Sequence, residues 1–141
     1  EYNCRLGDPE AQPIMMRIKN DFSEVLEQAI AGELDEANID WDRRTALGVV
    51  MAAANYPENP RKGDVIQQLP EDNDNCMVFH AGTELVDGQL LTSRVMCVTA
   101  LGDSIRRAQD KAYAAAAQIQ FDGKQFRSDI GWRAIPSTDA S

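Results

Sequence analysis

The fold is decided by residues 94–119, RVMCVTALGDSIRRAQDKAYAAAAQI. Residues 94–101 are rich in the apolar and β-branched side chains that favour a β-strand. Asp103 or Ser104 can then cap the start of a helix by accepting a hydrogen bond from a backbone N–H group. That helix carries a stripe of small and apolar residues at helical spacing: Ile105, Ala108, Ala112, Ala116 and Ile119. The stripe predicts that one long C-terminal helix packs closely on a sheet.

Several further strand patterns precede this stretch. Residues 46–52 form an apolar run that predicts a buried strand, and residues 77–81 predict another. Residues 83–92 predict a hairpin around an Asp-Gly turn, and residues 65–69 are a short strand candidate. Because strands in series are followed by one helix, the sequence predicts an α+β fold built on a small antiparallel or mixed β domain.

The first 40 residues have a different pattern. Residues 1–6 alternate polar and apolar side chains and predict a strand. A turn over residues 8–12 and a helix beginning at Pro13 are expected next, because a proline deep inside a helix removes a backbone donor. An amphipathic helix follows the capping residue Asp21 and ends at Gly32.

Charge divides the 141 residues at about the same point. The chain has 14 Lys and Arg against 23 Asp and Glu, a net charge of -9. Residues 1–40 hold 10 acids and 3 bases, whereas residues 41–141 hold 13 acids and 11 bases. We therefore predict two domains, 1–40 and 41–141.

Composition also excludes several classes of protein. The acidic balance argues against nucleic-acid binding, which depends on clustered Lys and Arg. No apolar segment approaches the ~18 residues that a membrane span needs, and no signal-peptide pattern opens the chain. The three cysteines form no C-x-x-C pair, and a single histidine excludes a multi-histidine metal site. These features predict a cytoplasmic protein that binds neither membranes nor nucleic acid.

The residues with the clearest chemistry are Glu1, Asn3 and Arg5. On a strand they share one face, so that a carboxylate and an amide oxygen can reach one hard cation such as Mg²⁺. Arg5 can fork onto phosphate or carboxylate oxygens beside it. The trio suits phosphoryl transfer, although an exposed strand face of this composition is common on its own.

Context makes this pattern specific. Gly7-Asp8-Pro9-Glu10 follows at once and places a turn and a helix start, a natural anion site, near the end of the strand. The run of residues 1–13, EYNCRLGDPEAQP, resembles the end of the ATP-grasp domain in the phosphoribosylamine–glycine ligase family. The resemblance continues in four later segments: 46–53, 78–83, 98–102 and 129–135.

The resemblance implies both the activity and the roles of individual residues. Members use Mg²⁺ (or Mn²⁺) and ATP to make glycyl phosphate, which 5-phosphoribosylamine attacks to give glycinamide ribonucleotide, ADP and phosphate in purine biosynthesis. Glu1 and Asn3 would be metal ligands, and Arg5 would contact the transferring phosphate. Asp8, Pro9 and Glu10 would border the phosphoribosylamine pocket, where backbone amides suit its phosphate.

The same resemblance implies an incomplete active site. The phosphate loop, the adenine-binding linker and another metal carboxylate lie upstream in this family, so we expect a C-terminal fragment that is inactive alone. Its partner would be the upstream ATP-grasp half of the same polypeptide.

The alternative is a non-catalytic carrier or binding module of the biotin- or lipoyl-dependent type. Lys124 is the lysine near a turn that could carry the group. Two other residues have structural interpretations: His80 as a hydrogen-bonded strand residue and Trp132 as a core or interdomain residue.

Overall fold

The computed structural model describes residues 5–7 and 9–135. Within those ranges the helices are α1 (Ala11–Arg17), α2 (Phe22–Ala31) and α3 (Ile105–Gln118). The strands there are β1 (Thr45–Ala52), β2 (Cys76–His80), β3 (Thr83–Val86), β4 (Gln89–Thr92), β5 (Val95–Gly102) and β6 (Gln125–Phe126). A 3₁₀ turn, Trp132–Ala134, follows.

Four strands form one antiparallel sheet in the order β2-β5-β1-β6, and β3 pairs with β4 as a separate hairpin. The predicted α+β class with an antiparallel β domain is therefore confirmed. Strand β5 lies in the middle of the sheet and is buried along its whole length, because α3 packs on one face and α1 contacts the other. This double burial explains why its sequence is apolar without alternation.

The face of the sheet under α3 carries the core. Val49 and Val98 are opposite each other in the register of β1 and β5, and both are fully buried. Val49 packs with Ala108 and Ala112 of α3, and Val98 packs with Ala116 further along the helix. These small side chains let the helix approach the sheet closely. The predicted alanine stripe is thus confirmed. Ser104, rather than Asp103, caps the helix, since its Oγ accepts a hydrogen bond from the Arg107 N–H at 3.2 Å.

Helix α1 packs on the opposite face of the sheet, where Gly48 of β1 lies against it. A Cβ atom on Gly48 would lie 3.0 Å from Cys97 Sγ and 3.4 Å from Pro13 Cγ, so the missing side chain makes room for the helix. Helix α1 begins at Ala11 rather than at Pro13 as predicted. Pro13 is its third residue, within the first turn, where backbone N–H groups have no partner inside the helix and the proline costs no hydrogen bond.

The predictions for the helix after Asp21 and for the Asp-Gly hairpin are confirmed. Asp21 caps α2 by accepting from the Ser23 N–H at 2.9 Å, and Gly32 ends that helix with a left-handed φ of 77°. The hairpin turns at Asp87 and Gly88, which have φ values of 49° and 79°. Such a pair of positive φ angles is typical of a two-residue hairpin turn.

Residues 65–69 do not form a strand. They make two single bridges to different partners, Val65 with Leu91 and Gln68 with Gln120. The neighbouring backbone bonds are split in the same way, since Ile66 donates to Leu90 and Gln67 donates to Gln120. A segment that divides its hydrogen bonds between two partners cannot continue a ladder with either. No helix in the described ranges is long and apolar enough to cross a membrane.

Candidate functional site

The structure describes half of the predicted site residues. Glu1, Asn3 and Asp8 lie outside the described residues, as does most of the strand predicted over residues 1–6. Arg5, Pro9 and Glu10 are described, and they lie where the chain approaches α1. The described part of the candidate site is therefore the loop that precedes this helix.

A short loop is closed by reciprocal hydrogen bonds between Gly7 and Glu10. The Gly7 N–H donates to Glu10 Oε2 at 3.1 Å, and the Gly7 carbonyl accepts from the N–H groups of Glu10 at 2.9 Å and Ala11 at 3.2 Å. A Cβ atom on Gly7 would lie 2.6 Å from Glu10 Cδ, well inside van der Waals contact. The Glu10 carboxylate can fold back in this way because residue 7 is glycine.

These bonds change the prediction that loop amides receive a phosphate. The amides of Gly7, Glu10 and Ala11 already have partners inside the loop. A phosphate that used the Gly7 amide would have to displace the Glu10 carboxylate. Glu10 itself is exposed and makes no side-chain hydrogen bond to the first turn of α1.

Arg5 is exposed at the start of this loop. Its Nη1 donates to the Leu6 carbonyl oxygen at 3.0 Å. A guanidinium group has five N–H donors in a planar fork, and this bond, the one Arg5 makes to the described residues, uses only one of them. A guanidinium fork of this kind suits an anionic ligand.

Helix α1 connects the loop to the β domain at both of its ends. Near its start, Pro13 packs over Gly48. At its end, Arg17 and Asp42 are joined by a backbone bond of 2.7 Å, and Arg17 Nε donates to the Asp42 carbonyl at 3.1 Å. The Arg17 guanidinium also lies 5.8 Å from the centre of the Trp41 ring, a cation–π distance. The loop is thereby held at a defined place on the sheet.

Arg44 forms an ion pair with Asp42 beside this contact. Arg44 Nη2 lies 2.6 Å from Asp42 Oδ2, and Arg44 Nε lies 3.0 Å from Asp42 Oδ1. These hydrogen bonds, with another from the Arg44 backbone N–H, lower the pKa of Asp42 from 3.8 to about 2. Arg44 also donates to Asn75 Oδ1, which ties the start of β1 to the loop before β2.

A basic cleft of about 540 Å³ opens between α1 and β1. Its charged lining residues are Arg17, Arg43 and Arg44. Sequence reasoning did not single them out because Arg17 is more than 20 positions from the other two. The nearest signal in the sequence was the aromatic Trp41 within an otherwise acidic loop.

The segment 129–135, the last of those that carry the family resemblance, is held in place by contacts with α3 and β1. Ile130 donates its N–H to Tyr113 Oη at 3.0 Å, and its carbonyl accepts from Gln109 Nε2 at 2.7 Å. Gly131 has a φ of 83°, and a Cβ there would lie 2.5 Å from Leu47 Cδ1. Trp132 is 56% exposed, so it is not a core residue of this chain, and its other interpretation, as an interdomain residue, stays a prediction.

His80 and Lys124 both have local partners. His80 Nδ1 lies 3.0 Å from Thr83 Oγ1, which confirms its interpretation as a hydrogen-bonded strand histidine. Lys124 is half-buried, and its Nζ donates to the Ile119 carbonyl at 2.7 Å. A carrier lysine has to project from an exposed turn to be modified, so this geometry speaks against the carrier alternative.

No group of three or more metal-binding His, Cys, Asp or Glu side chains occurs among residues 5–7 and 9–135. The oxygen donors of Glu1 and Asn3 lie outside the part of the chain that the structure describes.

Comparison with known proteins agrees with the motifs. Residues 46–133 match the family described as "Phosphoribosylglycinamide synthetase, C domain". The chain belongs to this family. The matched residues run from the start of β1 to the 3₁₀ turn, so the C domain includes the whole four-stranded sheet and α3.

The chain as a whole is similar to curated enzymes. The chain is 61% identical over 137 residues to the phosphoribosylamine–glycine ligase of Ralstonia nicotianae and 54% identical over 139 residues to that of Escherichia coli O157:H7. In both comparisons the match covers 96% of this chain and 32% of the relative. The chain therefore spans about a third of the length of the relatives that it matches.

A solved structure has the same fold. The crystal structure of the phosphoribosylamine–glycine ligase from Thermotoga maritima matches with a TM-score of 0.73 at 36% identity. The match covers 92% of this chain and 32% of that one. The match is longer than the C domain, so the similarity extends beyond residues 46–133.

Proposed function

We propose that this chain is the C-terminal part of an ATP-dependent ligase that joins glycine to 5-phosphoribosylamine. The products are glycinamide ribonucleotide, ADP and phosphate, formed through glycyl phosphate in purine biosynthesis. The observation that carries the proposal is the 61% identity over 96% of the chain to a curated ligase of that name. At that level of identity, residues at corresponding positions are expected to keep their chemistry.

The division of labour follows from the share of each relative that is matched. The chain corresponds to 32% of the ligase length, and its own family match is a C domain. We propose that the remaining two thirds are an upstream ATP-grasp half of the same polypeptide and bind the nucleotide. Residues 1–40 would complete that half, and residues 41–141 would form the second domain. The chain alone is then inactive, and the enzyme works in the cytoplasm.

The Glu1 carboxylate and Asn3 amide are the proposed Mg²⁺ or Mn²⁺ ligands. Carboxylate and amide oxygens form the hard donor set that these ions prefer. The ion would supply neutralisation of charge on the migrating phosphoryl group.

Arg5 is the proposed catalytic residue. Its exposed fork of N–H donors suits the oxygens of the phosphate as it moves from ATP to the glycine carboxylate, and then those of the acyl phosphate. Asp8, Pro9 and Glu10 border the proposed phosphoribosylamine pocket. The bonds between Gly7 and Glu10 support this role, because they hold the loop in one shape before a substrate arrives.

The experiment compares the full-length enzyme with the 141-residue chain. Each is given Mg-ATP, glycine and freshly generated phosphoribosylamine, and both phosphate and glycinamide ribonucleotide are quantified. We expect product from the full-length enzyme and none from the chain alone. Failure of the full-length enzyme to form the product, or micromolar binding of Mg-ATP by the chain alone, would contradict the proposal.

A further inference from the structure

The basic cleft between α1 and β1 holds positive charge in a protein that is otherwise acidic. The chain has a net charge of -9, yet Arg17, Arg43 and Arg44 all line this one cavity. Arg44 is paired with Asp42, and both oxygens of that carboxylate already accept hydrogen bonds from Arg44. The acid nearest to the cleft is therefore committed to one of the three arginines.

The other two guanidinium groups have unused donors. Arg43 is exposed, and within the described ranges its side chain makes no hydrogen bond and no ion pair. Arg17 uses Nε, which donates to the Asp42 carbonyl oxygen at 3.1 Å, whereas its two outer nitrogens have no hydrogen-bond partner among the same residues. The carboxylate of Asp40 is paired with Lys19 at 3.3 Å. Two like charges that share a cleft without a counter-charge favour an anionic ligand there.

An aromatic ring lies beside these donors. Trp41 lines the cleft and is 43% exposed, and the Arg17 guanidinium is 5.8 Å from the centre of its ring. Pro13 and Ile14 add further apolar surface. The volume of about 540 Å³ is within the range of small-molecule sites, about 300–1,000 Å³. The cleft thus offers one ligand both phosphate-binding donors and a planar apolar surface.

We propose that the basic cleft binds a nucleoside 5′-monophosphate, with its phosphate on Arg43 and Arg17 and its base stacked on Trp41. A guanidinium fork matches the spacing of phosphate oxygens, and every base has a π face that can stack on an indole. The phosphate dianion would neutralise the two arginines. Such a site does not require the proposed ligase function, because its charged and aromatic residues lie at the end of α1 and just before β1, whereas the loop at residues 7–10 precedes α1.

The test titrates the 141-residue chain with adenosine 5′-monophosphate and follows Trp41 fluorescence. Trp41 and Trp132 are the two tryptophans of the chain, so Trp132→Phe is made in every protein and leaves Trp41 as the reporter. We expect saturable quenching with a Kd of about 0.1–1 mM, the affinity that two charged hydrogen bonds and one stacked ring can supply in an open cleft. This affinity is weaker than the micromolar Mg-ATP binding that would contradict the proposed function, and magnesium is omitted, so the two results are distinguishable.

Two smaller probes separate the parts of the ligand. Ribose 5-phosphate lacks the base and adenosine lacks the phosphate, and competition with adenosine 5′-monophosphate measures the affinity of each. Both should bind about tenfold more weakly or worse, because each loses one of the two interactions. Equal affinity for adenosine would overturn the role of the arginines, and equal affinity for ribose 5-phosphate would overturn the stacking on Trp41.

A pair of variants tests the arginine contact. Arg43→Ala should raise the Kd about tenfold or more through the loss of a charged hydrogen bond, and should keep the unfolding midpoint because this side chain has no partner in the described part of the chain. Arg106→Ala removes the same charge from an exposed position on α3 and should bind as the unsubstituted chain does. Equal effects of the two substitutions, or an unchanged Kd in Arg43→Ala, would overturn the proposal.

Photolabelling extends the test to the full-length enzyme. The probe is 8-azidoadenosine 5′-monophosphate, added with saturating ATP so that the proposed upstream nucleotide site is occupied. Peptide mass spectrometry should locate the label at or beside Trp41, and Arg43→Ala should reduce that label about tenfold. A label found only elsewhere in the enzyme would overturn the proposal. The readout is binding rather than activity, so failure of the ligase reaction and failure of this site are separate results.

Discussion

Gly102, the last residue of β5, lies directly against the backbone of Ala108 in the first turns of α3. A Cβ atom on Gly102 would overlap with the Ala108 nitrogen and would lie 2.7 Å from the Arg107 carbonyl carbon and 2.9 Å from Ala108 Cα. All three are backbone atoms of the first turns of α3. The helix can pack this closely on the sheet only because residue 102 has no side chain.

The first prediction follows from this contact. Gly102→Ala should lower the free energy of unfolding by about 1–3 kcal/mol, the usual cost of overpacking, because the whole helix has to move. Gly48→Ala is the matched control in the same sheet. Its added Cβ would meet the Cys97 sulfur at 3.0 Å and other side-chain atoms, which adjust more readily than backbone. Urea unfolding of both variants measures the difference, and an equal loss in the two would contradict this account.

The second prediction concerns acid stability. The pKa of Asp42 is lowered from 3.8 to about 2 by its hydrogen bonds to Arg44. The folded chain therefore binds fewer protons than the unfolded chain in this range, and the stability from the pair is present above pH 3.8 and lost as the pH falls towards 2. Asp42→Asn should be less stable than the wild type at neutral pH, and this difference should shrink across that window.

Thermal unfolding at a series of pH values measures this dependence. Asp110→Asn, at an exposed position on α3, is the control and should run parallel to the wild type. A constant difference between Asp42→Asn and the wild type from pH 7 to 2 would show that the pair with Arg44 does not account for the acid dependence.

The third prediction concerns the loop at Gly7. Glu10→Ala removes the acceptor of the Gly7 N–H and should weaken phosphoribosylamine binding in the full-length enzyme by about 1 kcal/mol, the net value of one hydrogen bond. The effect should appear in KM more than in kcat. Glu10→Gln keeps an oxygen acceptor and should retain most of the affinity. If the two variants were equally impaired, the carboxylate charge rather than the loop bond would be the important feature.

The fourth prediction concerns the metal ligands. In the full-length enzyme, Glu1→Gln or Asn3→Ala should cost about 3–4 kcal/mol of transition-state stabilisation, by analogy with the loss of one preorganised electrostatic group. Initial rates measured over a range of magnesium concentrations give both the loss and any change in metal affinity. Glu58→Gln, in an exposed loop, serves as the control. Wild-type rates at saturating magnesium would remove Glu1 and Asn3 from the metal site.

Local sequence predicted most of the elements because their signals are short-range. The cap at Asp21, the stop at Gly32 and the Asp-Gly hairpin depend on hydrogen bonds and φ angles within a few residues, and all three are confirmed. Residues 65–69 were also predicted from local sequence to form a strand, but they do not form one. Their hydrogen-bond partners at Leu90 and Gln120 belong to two different parts of the fold, which no local pattern reveals.

The sequence by itself determined the α+β class, the family and the residue types available for catalysis, because periodicity, capping chemistry and motifs are all written in neighbouring positions. Only the tertiary structure decided which glycines make room for a helix, that Glu10 bonds to Gly7, and that Arg17 meets Asp42 beside Trp41. It also decided that Trp132 and Ile30 remain exposed while Val25 is buried. These outcomes depend on the distance between elements after packing, and the same apolar residue is core or surface according to what lies against it.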